Sequence, residues 1–289
     1  MNYRKLFRVK PGSRLKLGKL DPGSTDDHMT ERSAERLVGK LGLELSRLQY
    51  TMYSEGKRSL LICLQGLDGA GKDGTISHVL ASMNPMGAHA HAFKVPSREE
   101  ASHDFLWRVE KAVPARGEVA IFNRSHYEDV LVTRVHNLVP KPVWKARYGF
   151  IRDFEERLVA SGTTILKFYL HISPDEQLRR FKQRLEDPAR QWKISESDYT
   201  EREFWGDYLE AYEDAIARTS TEDAPWYVIP SNKKWFRNLA VARIVVDTMK
   251  SLDMQMPAPA VDLRRIARQY HQAERRAGPT VSASRSRRR

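Results

Sequence analysis

The chain has a single cysteine, Cys63, and no long hydrophobic run in its 289 residues. One cysteine cannot form an intrachain disulfide, and its apolar surroundings indicate a buried core position. No apolar stretch approaches the roughly 20 residues of a membrane-spanning helix. Residues 1–7 contain no apolar segment of the kind that a secretory signal requires. These absences argue against a disulfide-stapled or membrane-spanning protein, and we expect a cytoplasmic protein without a membrane partner.

Basic residues outnumber acidic ones: the chain has 49 Lys and Arg but 37 Asp and Glu, which gives a net charge of +12. Such a basic protein attracts polyanions, and the candidates are nucleic acid, an anionic membrane surface and a polyphosphate-type substrate. Much of the excess lies in a tail that we expect to be solvated and frayed. Its arginines are Arg264, Arg265, Arg268, Arg275, Arg276, Arg285, Arg287, Arg288 and Arg289.

A glycine-rich segment, residues 66–74, follows the apolar run 60–65 and precedes a segment that suits a helix. The backbone N–H groups of such a turn can point at phosphate oxygens, and a lysine adds a mobile positive charge. The helix that follows presents its positive end to the same anion. We call residues 66–74 the phosphate loop and predict phosphate contacts from Gly69, Ala70, Gly71, Lys72, Asp73 and Gly74.

The phosphate loop lacks the serine or threonine that commonly follows the lysine and holds Mg²⁺, because Asp73 stands there. Asp68 lies inside the loop, where phosphates repel a carboxylate unless a metal ion or a proton lies between them. The residues alone leave two interpretations of Asp68 open, a metal ligand and an ordinary turn residue.

A second motif, residues 122–130, follows the apolar strand predicted at 118–122. An acid at this place in a phosphate-binding fold holds Mg²⁺, and Glu128 and Asp129 are the candidates. We expect Asp68 and Asp129 to bind the metal together, although both acids of the second motif could instead favour the first turn of a helix. Arg124 is suited to clamp a phosphate, and Asn123 and His126 are further candidates for substrate contacts.

A basic segment at about residues 180–200 spans the break between helices predicted at 174–186 and 198–217. A hinged basic segment can close over a phosphate site and exclude water, and we call it the lid. Arg190 and Lys193 flank its break and are predicted to contact phosphates. We interpret Arg179, Arg180 and Lys182 as solvent-facing charges of a helix. Lys94 and Arg98, at the end of another predicted strand, are further candidates for phosphate contacts.

Apolar strands alternate with helical segments along the chain, which predicts an α/β fold with a mostly parallel five-stranded sheet and helices on both faces. We predict strands at 60–65, 90–96, 118–122, 164–172 and 226–230, and helices that include one at 99–113. The predicted organisation is a basic, extended N-terminal arm at 1–29, a catalytic domain at 30–255 and an arginine-rich tail at 256–289.

Four motifs together resemble the polyphosphate kinase 2 family: residues 66–74, 122–130, 191–193 and 224–230. The resemblance covers about residues 30–252, and Asp-x-x-Gly-Lys in the loop is the rule in that family. It implies a P-loop kinase-like, three-layer fold similar to thymidylate kinase with a helical lid. It also implies phosphoryl transfer between inorganic polyphosphate and ADP or AMP, with Mg²⁺ or alternatively Mn²⁺, by a homo-oligomer (a dimer or a tetramer).

The sequence leaves two other functions open. An ATP-dependent nucleoside monophosphate kinase would share the fold, but Asp73 argues against it because such enzymes carry Ser or Thr there. A nucleic-acid-binding protein would use the basic arm and tail, and it predicts that trimming the tail abolishes function. We expect no specific nucleic-acid partner.

Overall fold

Five strands form one parallel sheet, which confirms the predicted number of strands and their parallel arrangement, and their order is β2-β3-β1-β4-β5. The structure is a computed structural model that describes residues 1–277. The strands are β1 Ser59–Gln65, β2 Ala88–Ala92, β3 Val119–Asn123, β4 Thr163–His171 and β5 Trp226–Pro230. Every residue of β1 is buried, which is the pattern of a strand covered on both faces.

The main helices are α1 Tyr3–Phe7, α2 Glu31–Glu55, α3 Lys72–His78, α4 Arg98–Ala101, α5 Trp107–Glu110, α6 Glu128–Val135, α7 Lys141–Ala160, α8 Pro174–Glu186, α9 Ser197–Thr200, α10 Trp205–Thr219, α11 Lys234–Ser251 and α12 Leu263–Ala277. Short 3₁₀ turns lie at Leu17–Lys19, Leu80–Ser82, Gln191–Lys193 and Glu201–Phe204.

Helices cover both faces of the sheet. Leu60 and Ile62 of β1 belong to the same core cluster as side chains of α2 and α11. The alternate residues Leu61 and Cys63 belong to a second cluster with Phe154 of α7. Because successive strand residues point to opposite faces, this division confirms the predicted three-layer arrangement.

The N-terminal residues pack against the body instead of forming an extended arm, which corrects the prediction. Tyr3 and Leu17 are buried, and Val9 N donates to Trp226 O at 2.8 Å. Arg8 pairs with Tyr227 in an isolated antiparallel bridge. This segment therefore covers the outer edge of β5, where unpaired backbone groups would otherwise be exposed.

The helix predicted at 99–113 is two short helices, α4 and α5. Ser97 and Glu100 form a capping box that starts α4. The side chain of Asp104 then accepts a hydrogen bond from Leu106 N at 2.9 Å, a local contact that competes with the helical pattern. The helix predicted at 198–217 is likewise divided, into α9, a 3₁₀ turn and α10.

Residues up to Gln255 form one compact unit, and a second unit begins at Met256. In the second unit, α12 exposes every described side chain, including Leu263, Ile266 and Tyr270. The tail is therefore helical over 263–277, where we had predicted fraying, whereas the predictions for 278–289 lie outside the described residues. Among the described helices, none is long and apolar enough to cross a membrane.

Candidate active site

The phosphate loop connects β1 to α3 and depends on glycine at two positions. Gly66 and Gly71 have φ angles of 152° and 104°, which side chains disfavour. A Cβ atom on Gly71 would lie 1.8 Å from Arg237 Nη1, and one on Gly66 would lie 2.8 Å from Leu170 O. The loop can therefore lie against its neighbours only because these positions carry no side chain.

Lys72 is the first residue of α3, and its side chain turns back toward the loop. Its Nζ donates to Gly66 O at 2.6 Å, and the residue is buried. Burial lowers the pKa of Lys72, and the nearby Arg124 acts in the same direction. A desolvated ammonium beside a second cation is suited to receive an anion.

Arg124 joins the phosphate loop to the second motif. Its guanidinium donates to Asp68 Oδ1 at 2.9 Å and to Glu128 Oε2 at 3.3 Å. All three side chains line one cavity at the carboxyl ends of β1 and β3, where parallel α/β sheets bind ligands. The remaining lining residues are Gly66, Leu67, Leu131, Val132, Gln177, Glu201, Trp205, Tyr208 and Tyr212.

Asp129 lies outside the lining of this cavity, in a cluster with two arginines. Its carboxylate is 3.3 Å from Arg147 Nη1 and 3.8 Å from Arg108 Nη2. Burial raises the pKa of Asp129 to about 6, although both arginines act in the opposite direction. The carboxylate that shares the cavity with Asp68 is Glu128, so metal binding by Asp129 stays a prediction.

Asp73, which replaces the usual serine or threonine, connects three segments that the sequence analysis singled out. Asn123 Nδ2 of the second motif donates to its Oδ1 at 2.8 Å, and Lys193 Nζ of the lid lies 3.3 Å from its Oδ2. Burial acts to raise the pKa of Asp73, but Asn123 and Lys193 outweigh it and lower the pKa. The charged form of Asp73 thus joins the lid to the loop through one exposed ion pair.

The other residues predicted to contact phosphates do not line the cavity. Arg190 pairs with Asp187 inside the lid at 2.9 Å and is exposed. Lys94 and Arg98 follow β2 and are exposed at the same edge of the sheet as the loop. Their contacts with phosphates stay predictions.

His126 is fully buried and does not line the cavity, which argues against the predicted substrate contact. Its Nε2 lies 3.2 Å from Glu155 Oε1, which also accepts from Tyr127 Oη at 2.8 Å. Lys167 Nζ donates to Glu155 Oε2 at 2.5 Å and to Thr219 O at 2.7 Å. This buried network fixes the segment that carries Arg124 and Glu128.

Three side chains that contact the loop were missed from sequence. Gln177, Arg180 and Arg237 donate to carbonyl oxygens of loop residues. Arg180 is buried, so our interpretation of it as a solvent-facing charge was wrong. Its one sequence signal is Glu176 at the i−4 position, a pairing equally common on exposed helix faces. Arg237 comes from α11, and no local pattern links it to the loop.

The carboxylates of the cavity suit a hard metal ion. Mg²⁺ takes oxygen ligands, usually one or two carboxylates together with substrate phosphates. Asp68 and Glu128 supply such a pair, and the guanidinium of Arg124 shows that the space between them accepts positive charge. Within residues 1–277, no group of three or more His, Cys, Asp or Glu side chains is arranged to hold a metal.

Comparisons with known proteins agree with this geometry. The family model described as Polyphosphate kinase 2 (PPK2) matches residues 28–257. An AMP/ADP-polyphosphate phosphotransferase of Meiothermus ruber is 49% identical over 256 residues, which are 88% of this chain and 96% of that protein. An ADP-polyphosphate phosphotransferase of Rhodopseudomonas palustris is 41% identical over 265 residues, 88% of this chain and 92% of that protein.

A solved structure shows the same likeness in three dimensions. The crystal structure of polyphosphate kinase 2 from Arthrobacter aurescens TC1 aligns with a TM-score of 0.89 at 42% identity. The alignment covers 95% of this chain and 97% of that chain. As its motifs predicted, the chain belongs to the polyphosphate kinase 2 family of phosphotransferases.

Proposed function

We propose that this chain is a polyphosphate-dependent nucleotide kinase that moves a phosphoryl group between inorganic polyphosphate and nucleoside phosphates. The observation that carries the proposal is the joining of Asp68, Arg124 and Glu128 around one cavity at the phosphate loop. The relative from Meiothermus ruber, named for both AMP and ADP, supports both acceptors here. The reactions are therefore ADP to ATP and AMP to ADP.

The loop and its lysine bind the phosphates in this proposal. Backbone N–H groups of the phosphate loop and the ammonium of Lys72 neutralise charge on the transferring group. When phosphates enter, the planar fork of Arg124 exchanges its carboxylate partners for phosphate oxygens, which it can bind with two parallel hydrogen bonds. Lys193 closes from the lid, and Asp73 holds it there.

We assign Mg²⁺ as the cofactor, with Mn²⁺ as an alternative, and Asp68 and Glu128 as its protein ligands. Asp129, predicted from sequence as a ligand, is the next candidate because it adjoins Glu128. An ion held by these carboxylates would supply positive charge that offsets the charge of the phosphates.

We further propose direct in-line transfer without a phosphorylated enzyme. Two potential nucleophiles near the site, Cys63 and His126, are both fully buried. Positioning and electrostatics then supply most of the rate, as is usual for phosphoryl transfer.

A transfer assay tests the acceptor range. Purified protein, Mg²⁺ and long-chain polyphosphate are mixed separately with AMP, ADP or GDP, and the products are separated by chromatography. We expect ATP from ADP, and ADP followed by ATP from AMP. If polyphosphate gives no product while ATP phosphorylates a nucleoside monophosphate, the chain is an ordinary nucleotide kinase and the proposal is wrong.

A further inference from the structure

We propose that Gln177, Arg180 and Arg237 are positioning residues that hold the carbonyl groups of the phosphate loop away from the ligand. The N–H groups of the phosphate loop then point at the phosphate. This inference rests on the proposed function, because it concerns how the same loop is made ready to bind.

Three consecutive loop carbonyls have side-chain donors. Gln177 Nε2 donates to Asp68 O at 2.7 Å. Arg180 Nη1 donates to Gly69 O at 2.7 Å and to Ala70 O at 3.0 Å. Arg237 Nη1 donates to Ala70 O at 3.3 Å. The donors come from α8 and α11, so the carbonyl side of the loop faces these two helices.

Because the peptide bond is planar, fixing the loop carbonyl groups also fixes the direction of the loop N–H groups. In a planar trans peptide, the C=O of one residue and the N–H of the next point in opposite directions. Holding the carbonyls of Asp68 and Ala70 toward the helices therefore turns the N–H groups of Gly69 and Gly71 away from them. The N–H of Ala70 is used inside the loop, where it donates to Leu67 O at 2.9 Å.

The two arginines are themselves fixed in place. Arg180 is 5% exposed, and its guanidinium also donates to Ser231 O, to Asn232 O at 3.1 Å and to Glu176 Oε1 at 2.6 Å. Arg237 is 2% exposed and lies directly against Gly71. A donor held by several contacts keeps the loop in one conformation before the ligand arrives, which lowers the entropic cost of binding.

Charge and geometry can be separated, because the three residues differ in charge. Burial lowers the pKa of Arg237 to about 9, with a further contribution from Arg180, so the two cations repel each other behind the loop. A bound phosphate would offset this repulsion, which is a charge effect distinct from the orientation of the carbonyl groups. Gln177 is neutral, so its replacement tests the orientation of the carbonyl without changing the charge of the site.

The experiment compares Gln177→Met and Arg237→Met with a matched control, Arg179→Met. Arg179 lies in the same helix and pairs with the same Glu176, but its side chain is 55% exposed. The dissociation constant for tripolyphosphate is measured by isothermal titration, and the melting temperature is measured for each variant.

We expect Gln177→Met to weaken tripolyphosphate binding by about tenfold, the scale of one well-formed hydrogen bond. Arg237→Met should weaken it at least as much, and Arg237→Lys, which keeps the charge and a donor, should recover part of the loss. Amide exchange of the peptide that contains the loop should become faster in both Met variants. Arg179→Met should stay within about twofold of the unaltered protein.

A purely structural role would lower the melting temperature without changing the dissociation constant of the folded protein. If both Met variants bind tripolyphosphate within twofold of the Arg179→Met control, the positioning role is wrong, whatever their melting temperatures. Should Arg237→Met fail to fold, Gln177→Met decides the question through amide exchange: because Gln177 also lines the cavity, weaker binding with unchanged exchange of the loop peptide would contradict the positioning role.

Failure of the inference and failure of the proposed function give different results. Transfer from polyphosphate to ADP by the unaltered protein supports the function even if the variants match the control. Conversely, weaker tripolyphosphate binding by the variants supports the positioning role even if no nucleotide is phosphorylated.

Discussion

Arg124 is held in a backbone conformation that residues with side chains rarely adopt. Its φ angle of 62° costs on the order of 1 kcal/mol relative to ordinary regions. The backbone is fixed by a hydrogen bond from Arg124 N to Leu64 O at 3.0 Å, and the side chain by Asp68 and Glu128. Strain of this kind persists where the surroundings over-determine it, which is common at functional sites.

The fork of Arg124 should be irreplaceable by lysine. Arg124→Lys keeps the charge but cannot contact two carboxylates, or two phosphate oxygens, with parallel donors. We expect kcat for polyphosphate-driven ATP formation to fall by about 30- to 100-fold, with a melting temperature within a few degrees of the parent. Equal kcat values for the two proteins in a steady-state assay would contradict the role of the fork.

Replacing Asp73 should weaken polyphosphate binding through the lid more than it lowers the stability of the fold. Asp73→Ser restores the residue type common in other phosphate loops but removes the ion pair with Lys193. Because exposed ion pairs contribute little, we expect the free energy of unfolding to change by less than about 1 kcal/mol. The KM for polyphosphate should rise by about two- to fivefold, since the lid loses a contact. Steady-state kinetics and urea unfolding check the two parts, and a large loss of stability with unchanged KM would contradict this account.

At the scale of elements, the buried network of Glu155 and Lys167 ties α7 and β4 to the second motif. Breaking one side of a buried ion pair leaves an uncompensated charge, which typically costs about 3 to 5 kcal/mol. We therefore expect Glu155→Gln to lower the free energy of unfolding by that amount in urea titrations. The double variant Glu155→Gln with Lys167→Met should lose less than the sum of the single variants, because neither charge remains. Additive losses would show that the pair is not coupled.

The same network should make stability depend on pH through His126. Burial lowers the pKa of His126 below its ordinary 6.5, although Glu155 acts in the opposite direction. Its buried Nδ1 lacks a hydrogen-bond partner among the described residues, so a second ring proton would be poorly accommodated. Below pH 6.5 the unfolded state therefore binds more protons than the folded state, and stability falls as pH decreases.

His126→Gln tests this dependence because its side chain can still donate to Glu155 but cannot titrate. The free energy of unfolding of the parent should drop between pH 7.5 and 5.5, by up to about 1.4 kcal/mol per unit below 6.5 for this residue. His126→Gln should show a smaller drop over the same range in urea titrations. The comparison with the parent is needed because burial also lowers the pKa values of His91 and His171. An identical pH slope in both proteins would contradict the account.

The elements could be predicted to the extent that local pattern decided them. Short apolar runs such as 60–65, bounded by turn signals and alternating with helical segments, indicate strands of a parallel sheet, so the sheet was readable from sequence although the order of its strands was not. The helix at 99–113 was not, because the side chain of Asp104 competes with the helical pattern. Contacts between distant parts of the chain could not be predicted from local pattern. Arg237, for example, contacts Gly71 only because α11 packs beside the loop.

The site residues illustrate the same limit. The loop and second motif carried strong local signals: the structure brings Asp68 and Arg124 together around one cavity, and Lys72 donates to Gly66 O, whose residue also lines it. Which carboxylate of the second motif shares the cavity depends on the rotation of α6, and adjacent helical positions point about 100° apart. Sequence alone therefore could not choose between Glu128 and Asp129.

At the scale of the whole molecule, the candidate site belongs to the unit that ends at Gln255. A chain truncated after Gln255 should retain polyphosphate-driven ATP formation with kcat within about twofold, because this unit has its own core. The predicted homo-oligomer, a dimer or a tetramer, can be measured on both chains by size-exclusion chromatography with light scattering. Loss of transfer by a folded truncated protein would mean that the basic tail takes part in the main function.

The central claim is polyphosphate-driven phosphorylation at the phosphate loop, and one assay tests it most directly. The purified chain, Lys72→Met and the control Arg179→Met are each incubated with Mg²⁺, long-chain polyphosphate and ADP, and ATP is measured over time. We predict ATP formation by the parent and the control, and a rate at least about 100-fold lower for Lys72→Met. Unchanged ATP formation by a folded Lys72→Met protein, or none by the parent, would contradict the account.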